Sequence, residues 1–270
     1  MNRSRRRSFF FPIVIALAVM AYQYFSAEKV VNPVTGEKVR VALSTEQEAA
    51  LGLQSFREVL SQSETIESGP EYELVRNVAR RLAAATGDAA KSFDWQVALI
   101  RSEQANAFCL PGGKIAVFTG ILPFTKTEEG LAAVMGHEMA HAIARHGSQR
   151  LLRNSLTQTM MIGAQFSMGD LDYSQRQAVM AALGAGAQYG VLLPFSRDHE
   201  SEADQMGLLY MARAGYDPRE SIGFWERMSE AGGSQPPEFA STHPSHGTRI
   251  EGLRAFMPKA VAEYEKHRAR

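Results

Sequence analysis

Cysteine is almost missing from this 270-residue chain: Cys109 stands alone, so no intramolecular disulfide can form. That scarcity excludes a disulfide framework and a structural zinc site built from several thiolates. A surplus of charge is missing too, because Lys plus Arg and Asp plus Glu both number 29. The balance argues against nucleic acid or a broad anionic surface as the partner. What remains is enough chain for one domain with a sizeable core.

Apolar runs are short, and the one near the N-terminus covers residues 9–22. It falls below the roughly 20 residues that a spanning helix needs. A cluster of arginines without acidic neighbours precedes it: Arg3, Arg5, Arg6 and Arg7. A basic flank before an apolar run is typical of an export signal or a signal anchor, and Val19-Met20-Ala21 offers a small-residue cleavage site. No cysteine follows the run closely, which excludes a lipoprotein.

We therefore predict a signal anchor or signal peptide over residues 1–27, a turn-rich linker over 28–43 and a folded domain over 44–270. By the positive-inside rule the arginines stay in the cytoplasm. This predicts a protein of the bacterial inner membrane facing the periplasm, or a soluble periplasmic protein if the signal is cleaved.

Helical and strand-like patterns alternate along the domain. Periodicity predicts helices over residues 45–60 and 71–86, then strands over 95–100 and 115–119, the second reached through a Pro-Gly-Gly turn. Thr127 can cap a helix that runs to about His146, where Gly147 supplies a stop. Further helices are predicted between residues 156 and 194, over 198–214, after Pro218 and after Gly247. The pattern indicates a helix-rich α+β domain with a small sheet in its N-terminal half.

The sequence His137-Glu138-Met139-Ala140-His141 carries the chemistry. Side chains four apart lie on one face of a helix, so two imidazoles can bind one metal ion from the same side. Glu138 is rotated away and can reach a water on the metal, which suits zinc hydrolysis. A solvated helix face is the alternative. The apolar and small neighbours argue against it, because a buried histidine needs a partner.

A third ligand is required, because a catalytic zinc has three protein ligands and one open position. A histidine six residues after His141 is excluded, since Gly147 stands there. A glutamate from a separate helix is offered by Glu200, with Asp204 four residues later on the same face. One of them can ligate while the other accepts a hydrogen bond from a ligand histidine. A solvated acidic helix start is the competing interpretation.

Five motifs together resemble the gluzincin family of the CAAX prenyl proteases, HtpX, BepA-like proteases and mitochondrial Oma-type proteases. The Oma-like and BepA-like bacterial members are nearest, because multiple spanning helices are missing here. The resemblance covers about residues 105–250 and rests on Asn106-Ala107-Phe108, Pro111-Gly112-Gly113-Lys114-Ile115, Gly136 to His141, Glu200 to Asp204 and Thr242-His243-Pro244.

The resemblance implies a zincin-like metallopeptidase domain over residues 44–270 that binds one Zn²⁺. It implies that His137, His141 and Glu200 are the ligands, that Glu138 is the base and that Asp204 supports a ligand histidine. It also implies that an edge strand borders the active-site cleft, formed by Lys114, Ile115, Ala116 and Val117. An unpaired edge can hold an extended peptide by strand addition. An ordinary paired strand is the alternative, since both look alike in sequence.

Two more polar side chains are candidates near the metal. His243 is expected to be a fourth ligand or an oxyanion donor, with Arg249 as a second candidate donor. A surface-loop role is the alternative for His243. His246 lies in the same loop. Cys109 is expected to be a small buried packing residue.

The resulting prediction is a zinc-dependent endopeptidase that hydrolyses peptide bonds of envelope or membrane proteins in protein quality control. Its partners are polypeptide substrates, and the membrane through the N-terminal segment if that segment is uncleaved. Two alternatives remain: a zinc-binding, chaperone-like scaffold without turnover, and a metal-free protein in which the histidines form a polar core.

Overall fold

The computed structural model describes residues 3–168, 171–231, 239, 243 and 247–268, and helices predominate. The helices, numbered along the chain, are α1 (Arg3–Ser26), α2 (Thr45–Ser61), α3 (Pro70–Ala85), α4 (Leu122–Thr125), α5 (Glu128–Ile143), α6 (His146–Ser167), α7 (Tyr173–Ala187), α8 (Leu193–Arg213), α9 (Glu220–Glu230) and α10 (Gly247–His267). A π-helical turn, Gln188–Leu192, precedes α8. The strands are β1 (Glu28–Val31), β2 (Lys38–Val41), β3 (Thr65–Ile66), β4 (Gln96–Ile100), β5 (Ala107–Leu110) and β6 (Lys114–Phe118).

Two compact units divide the chain. The first comprises residues 1–32, 36–44 and 146–198; the second comprises 33–35, 45–145 and 199–270. In the first, α1 packs on α6 so closely that a Cβ on Gly163 would stand 2.3 Å from the Ala16 Cβ. Strands β1 and β2, in the segment predicted as a linker, pair as an antiparallel hairpin. Among the described residues, no helix has both the length and the apolar character needed to cross a membrane.

The second unit contains a four-stranded sheet of order β3-β4-β6-β5. Strand β6 pairs in parallel with β4 and antiparallel with β5. The prediction that Lys114, Ile115, Ala116 and Val117 form the edge strand is therefore wrong, because both sides of β6 are hydrogen-bonded. Strand β5, which pairs with β6 alone in the described part of the chain, is the edge. The Pro111-Gly112-Gly113 turn joins β5 and β6 as a hairpin, with φ of 78° and 86° at the two glycines.

Alternation along β5 divides the packing into two layers. Ala107 and Cys109 belong to the main core, together with α3, α5 and α8, whereas Phe108 packs with Phe56 of α2 in a second cluster. Since successive side chains of a strand point to opposite faces, α5 and α2 cover opposite faces of this edge strand. The structure confirms the expected helix-rich α+β architecture and the helices predicted over residues 45–60 and 71–86.

Helix α5 begins as predicted and ends early. The Thr127 hydroxyl accepts a hydrogen bond from the Gly130 amide at 3.0 Å, and acidic side chains occupy the first turn. The expected end at about His146, with Gly147 as the stop, is wrong: the helix ends at Ile143, and Gly147 lies inside α6. The break falls at Arg145, whose φ of 58° cannot continue a right-handed helix.

Candidate metal centre

Helix α5 places His137 and His141 one turn apart on the same face. Their Nε2 atoms are 3.1 Å from each other. His137 is 2% exposed, while the His141 side chain is 12% exposed. His141 is thus the more exposed of the two imidazoles.

Helix α8 crosses α5 closely enough to bring two carboxylates to these imidazoles. Gly207 makes the approach possible, since a Cβ there would lie 2.9 Å from the His137 backbone nitrogen. Glu200 Oε2 is 3.3 Å from His137 Nε2, and Glu200 Oε1 is 3.5 Å from His141 Nε2. On the same face of α8, Asp204 Oδ1 lies 3.0 Å from His137 Nδ1. His137 thus presents one ring nitrogen to the cluster and the other to Asp204.

His243 completes a group of four potential ligands. Its Nδ1 is 3.0 Å from Glu200 Oε2 and 3.2 Å from His137 Nε2. One ligand atom from each of His137, His141, Glu200 and His243 lies within 4.8 Å of the others. Tetrahedral zinc with bonds of about 2.0–2.1 Å sets neighbouring ligand atoms about 3.4 Å apart. The spacings here match that value, so the donor set and its geometry fit zinc.

Glu138 lies beside this group. Its Oε1 is 3.3 Å from His243 Nε2, and the residue is 4% exposed. Burial raises the pKa of Glu138 above its ordinary value, although the nearby His243 and His137 act in the opposite direction. A carboxyl group with a raised pKa is a stronger base once ionised, which suits proton transfer from a water.

Charge and burial compete at His137 and Glu200. Burial and the Arg249 charge lower the His137 pKa, but hydrogen bonds to Asp204 and Glu200 prevail and raise it to about 9. For Glu200, burial raises the pKa, but hydrogen bonds from His137, His141 and His243 hold it well below its usual range. Glu200 is thus an ionised carboxylate, the form that ligates a cation.

Arg249 of α10 contacts both carboxylates of α8 that face the histidines. Its guanidinium donates to both Asp204 oxygens at 2.6 Å and lies 3.5 Å from the centre of the Trp225 ring. A further hydrogen bond of 3.2 Å reaches Glu200. Phe239 stacks on both Trp225 and His243, at 5.5 and 4.9 Å between ring centroids. His246 lies outside the described residues.

Strand β5 borders the cluster. Cys109 is buried, which raises the pKa of its thiol, and the negative charge of Glu138 adds to this rise. The expected packing role of Cys109 agrees with its place in the core. Lys114, which was expected at the cleft, instead buries its side chain and donates to the Asp94 carboxylate at 2.8 Å and to the Asp94 carbonyl. Its contacts join the start of β6 to the segment that precedes β4.

Two features of the site were not anticipated from sequence. The β5 strand could have been found, because the Pro-Gly-Gly turn between two apolar segments indicates a hairpin. The aromatic support from Trp225 and Phe239 had no such signal, since a buried aromatic side chain resembles any other core residue in sequence.

With this site in this fold, the protein falls in the class of zinc-dependent metalloendopeptidases. The chain belongs to peptidase family M48, whose sequence profile matches residues 71–257. This membership confirms the predicted family, enzyme class and metal.

Named relatives agree with the assignment. The mitochondrial metalloendopeptidase OMA1 of Schizosaccharomyces pombe is 35% identical over 238 residues, covering 86% of this chain and 68% of that protein. The metalloendopeptidase OMA1 of Danio rerio is 32% identical over 275 residues, or 95% of this chain and 56% of its own length. The β-barrel assembly-enhancing protease of Yersinia pestis is 28% identical over 228 residues, covering 82% of this chain and 46% of that protein.

These relatives overturn one prediction. The expected location, at the bacterial inner membrane or in the periplasm, is contradicted because relatives matching over most of the chain are mitochondrial proteins. The expectation failed because an arginine-rich N-terminus without acidic residues occurs in more than one class of targeting segment.

Proposed function

We propose that His137, His141 and Glu200 hold the zinc ion and that Glu138 is the catalytic base. The observation that carries this proposal is the spacing of 3.1–3.5 Å among the ligand atoms of these three residues. When bound, zinc supplies a Lewis acid that lowers the pKa of a water and polarises the peptide carbonyl. Asp204 fixes the tautomer of His137 by accepting from Nδ1, and Arg249 compensates the buried charge of Asp204.

Glu138 performs the proton transfers in this mechanism. It accepts a proton from the attacking water and delivers that proton to the leaving amine. Burial supports this role, because a carboxylate removed from bulk water competes better for the proton. A scaffold without turnover has no need of a carboxylate here, so Glu138 favours the enzyme over that alternative.

His243 is proposed as a fourth ligand that must withdraw before water can approach. Its position between Glu200 and Glu138 supports this role, because a zinc with four protein ligands has no open site for water. Arg249 is proposed to position rather than to bind the oxyanion, since its guanidinium is 5% exposed and is engaged by Asp204.

The substrate peptide is proposed to bind along β5. The Phe118 N–H donates to the Asn106 carbonyl at 3.0 Å, so by alternation the backbone groups of Ala107 and Cys109 point away from β6. The Ala107 N–H donates to the Asn106 side chain at 2.9 Å, which leaves Cys109 as the main position for pairing with a peptide. An extended peptide that adds to this edge runs beside α5 and its histidines. Binding through main-chain hydrogen bonds selects an extended backbone more than a particular side chain. Unfolded segments of misfolded proteins, including membrane proteins, are therefore the proposed substrates in a quality-control role.

Contact with a lipid surface is a further part of this proposal. Exposed apolar side chains on α1 support it, among them Phe11 at 66%, Tyr22 at 74% and Phe25 at 73%. Four arginines at the start of α1 add attraction to anionic lipids. Sedimentation with anionic vesicles tests the idea, and equal recovery with and without vesicles contradicts it.

Zinc stoichiometry tests the ligand assignment. We expect one zinc per chain in the purified 270-residue chain and a weakened or absent site in Glu200→Ala, because only the two histidine ligands on α5 then remain. Glu202→Ala is the matched control on the same helix, since Glu202 contacts Thr35 away from the cluster. Full zinc occupancy and affinity in Glu200→Ala would reject the assignment. If wild-type protein prepared with zinc in excess contains no bound zinc, the alternative of a metal-free protein with a polar core of histidines is favoured.

A further inference from the structure

A buried ion pair lies behind the metal-binding helix. Arg145 Nε donates to Glu48 Oε2 at 2.7 Å, and the two side chains are 12% and 7% exposed. A pair of this kind adds little net stability, because desolvation of both charges offsets their attraction. What it does supply is a fixed distance and direction between the two backbones that carry it. Here those backbones are the end of α5 and the first turn of α2.

The backbone at Arg145 indicates that the side chain matters. Its φ of 58° is strained for any residue with a Cβ, and glycine is the common choice just after a helix. Arginine occupies the position instead and directs its guanidinium to Glu48. Because Arg145 follows His141 by four residues, the pair fixes the chain one turn beyond a proposed zinc ligand.

Helix α2 also contacts the hairpin that contains the edge strand. A Cβ on Gly52 would stand 2.1 Å from the Pro111 carbonyl oxygen, so the α2 backbone lies directly on the β5–β6 turn. Gly112 approaches Ala49 in the same way, at 3.2 Å. One turn further along α2, Phe56 packs with Phe108 on the face of β5 that points away from α5.

We propose that α2 is a positioning element that sets the spacing between β5 and α5. The proposal rests on the function proposed above, in which the peptide pairs with β5 and zinc is held by α5. Glu48 and Arg145 join α2 to one wall of the cleft, and Gly52 and Phe56 join it to the other. Helix α2 precedes residues 71–257, the part of the chain that matches the family profile. The spacing it sets fixes which peptide bond lies over the metal.

Cleavage of unfolded casein, mapped by mass spectrometry, tests this inference. The variants are Glu48→Gln, Arg145→Lys and the double variant Glu48→Met/Arg145→Met, which removes both charges at similar volume and so leaves no buried charge unpaired. Glu58→Gln is the control, because Glu58 is an exposed acid on the same helix. Two synthetic peptides that span one casein cleavage site serve as substrates. One has twelve residues, enough to pair with β5, and the other has five.

We expect the pair variants to keep zinc and to cleave casein at shifted or additional bonds. For the longer peptide, kcat/KM should fall about 10- to 100-fold, since small displacements of a bound substrate have effects of this size. The five-residue peptide should lose much less, a contrast that general loss of structure does not produce. Glu58→Gln should match the wild type.

Two results overturn the inference. In the first, Glu48→Gln or the double variant binds zinc, cleaves casein at the same bonds as the wild type and has an unchanged kcat/KM for both peptides. The other is equal losses for the long and the short peptide. Failure of the proposed function would look different, because wild-type protein would then lack zinc or leave casein intact.

Discussion

At the scale of single residues, the tasks proposed for Glu138 and His243 can be separated by mutation. Glu138→Gln keeps the size of the side chain but removes the ability to accept a proton. We expect this variant to retain one zinc and to lose hydrolysis by roughly 10²- to 10⁴-fold, the contribution typical of a positioned base. Metal analysis and casein turnover on one preparation check both halves. Wild-type turnover in Glu138→Gln would remove Glu138 from the mechanism.

For His243 we expect the opposite effect, a gain of activity on mutation. Its imidazole lies against Glu200 and Glu138. If it occupies the fourth position of the metal, His243→Ala opens a site for water, and proteolysis should rise several-fold. Zinc should remain bound through the other three ligands, with weaker affinity. An unchanged or lower turnover number at full zinc occupancy contradicts the blocking role and favours an oxyanion donor. His267→Ala, at the end of α10, is the control.

At the scale of elements, the α5–α8 crossing determines whether the proposed ligands meet. Gly207→Ala should push α8 away from α5, because the new methyl group would stand 2.9 Å from the His137 amide nitrogen and 3.1 Å from the Gly136 carbonyl carbon. We expect zinc affinity to fall at least tenfold and Tm to fall as well. Gly252→Ala is the matched control: it lies in α10 with open space around it, so it should be neutral or stabilising. Equal zinc affinity in the two variants would argue against a close crossing.

The edge strand makes a separate prediction. Cys109→Pro removes an outward N–H of β5 without breaking a bond to β6, as proline is tolerated on strand edges. Its KM for a long peptide should rise, with zinc binding unchanged. Phe108→Pro, which removes an N–H that pairs with β6, should instead destabilise the fold. An unaltered KM in a folded Cys109→Pro variant would place the substrate elsewhere.

Sequence patterns predict these elements unevenly. The proposed ligands on α5 follow from helical periodicity, because positions four apart share a face wherever the helix lies. The edge does not follow, since β5 and β6 have similar apolar composition and only the hydrogen-bonded order of the sheet distinguishes them. The predicted end of α5 is wrong because Gly147 resembles a stop, whereas the helix breaks before Arg145, whose φ is 58° and whose side chain pairs with Glu48, 97 residues away along the chain. A contact between residues so far apart in sequence cannot be read from the local sequence pattern around Gly147.

At the scale of the whole molecule, zinc binding should be coupled to the stability of the fold. The proposed ligands join α5, α8 and the segment at His243, so the metal stabilises the folded state by mass action. At a free zinc concentration 100 times Kd this amounts to about 2.7 kcal/mol, or roughly 5–10 °C in Tm for a chain of this size. Chelation should lower Tm by that amount, and zinc should restore it. Glu200→Ala should show a much smaller change.

The rise in Tm on zinc binding should depend on pH, and the pKa of His137 gives the sign of that dependence. In chelator, the raised His137 pKa of about 9 means that protonated His137 stabilises the fold below its ordinary value of 6.5. That contribution is lost as pH rises through 9. Zinc binds only the deprotonated imidazole, so protons compete with it across the same range. The rise in Tm on adding zinc should therefore be larger at pH 9 than at pH 6.5, measured by differential scanning fluorimetry. A larger rise at the lower pH would mean that His137 does not exchange its proton for the metal.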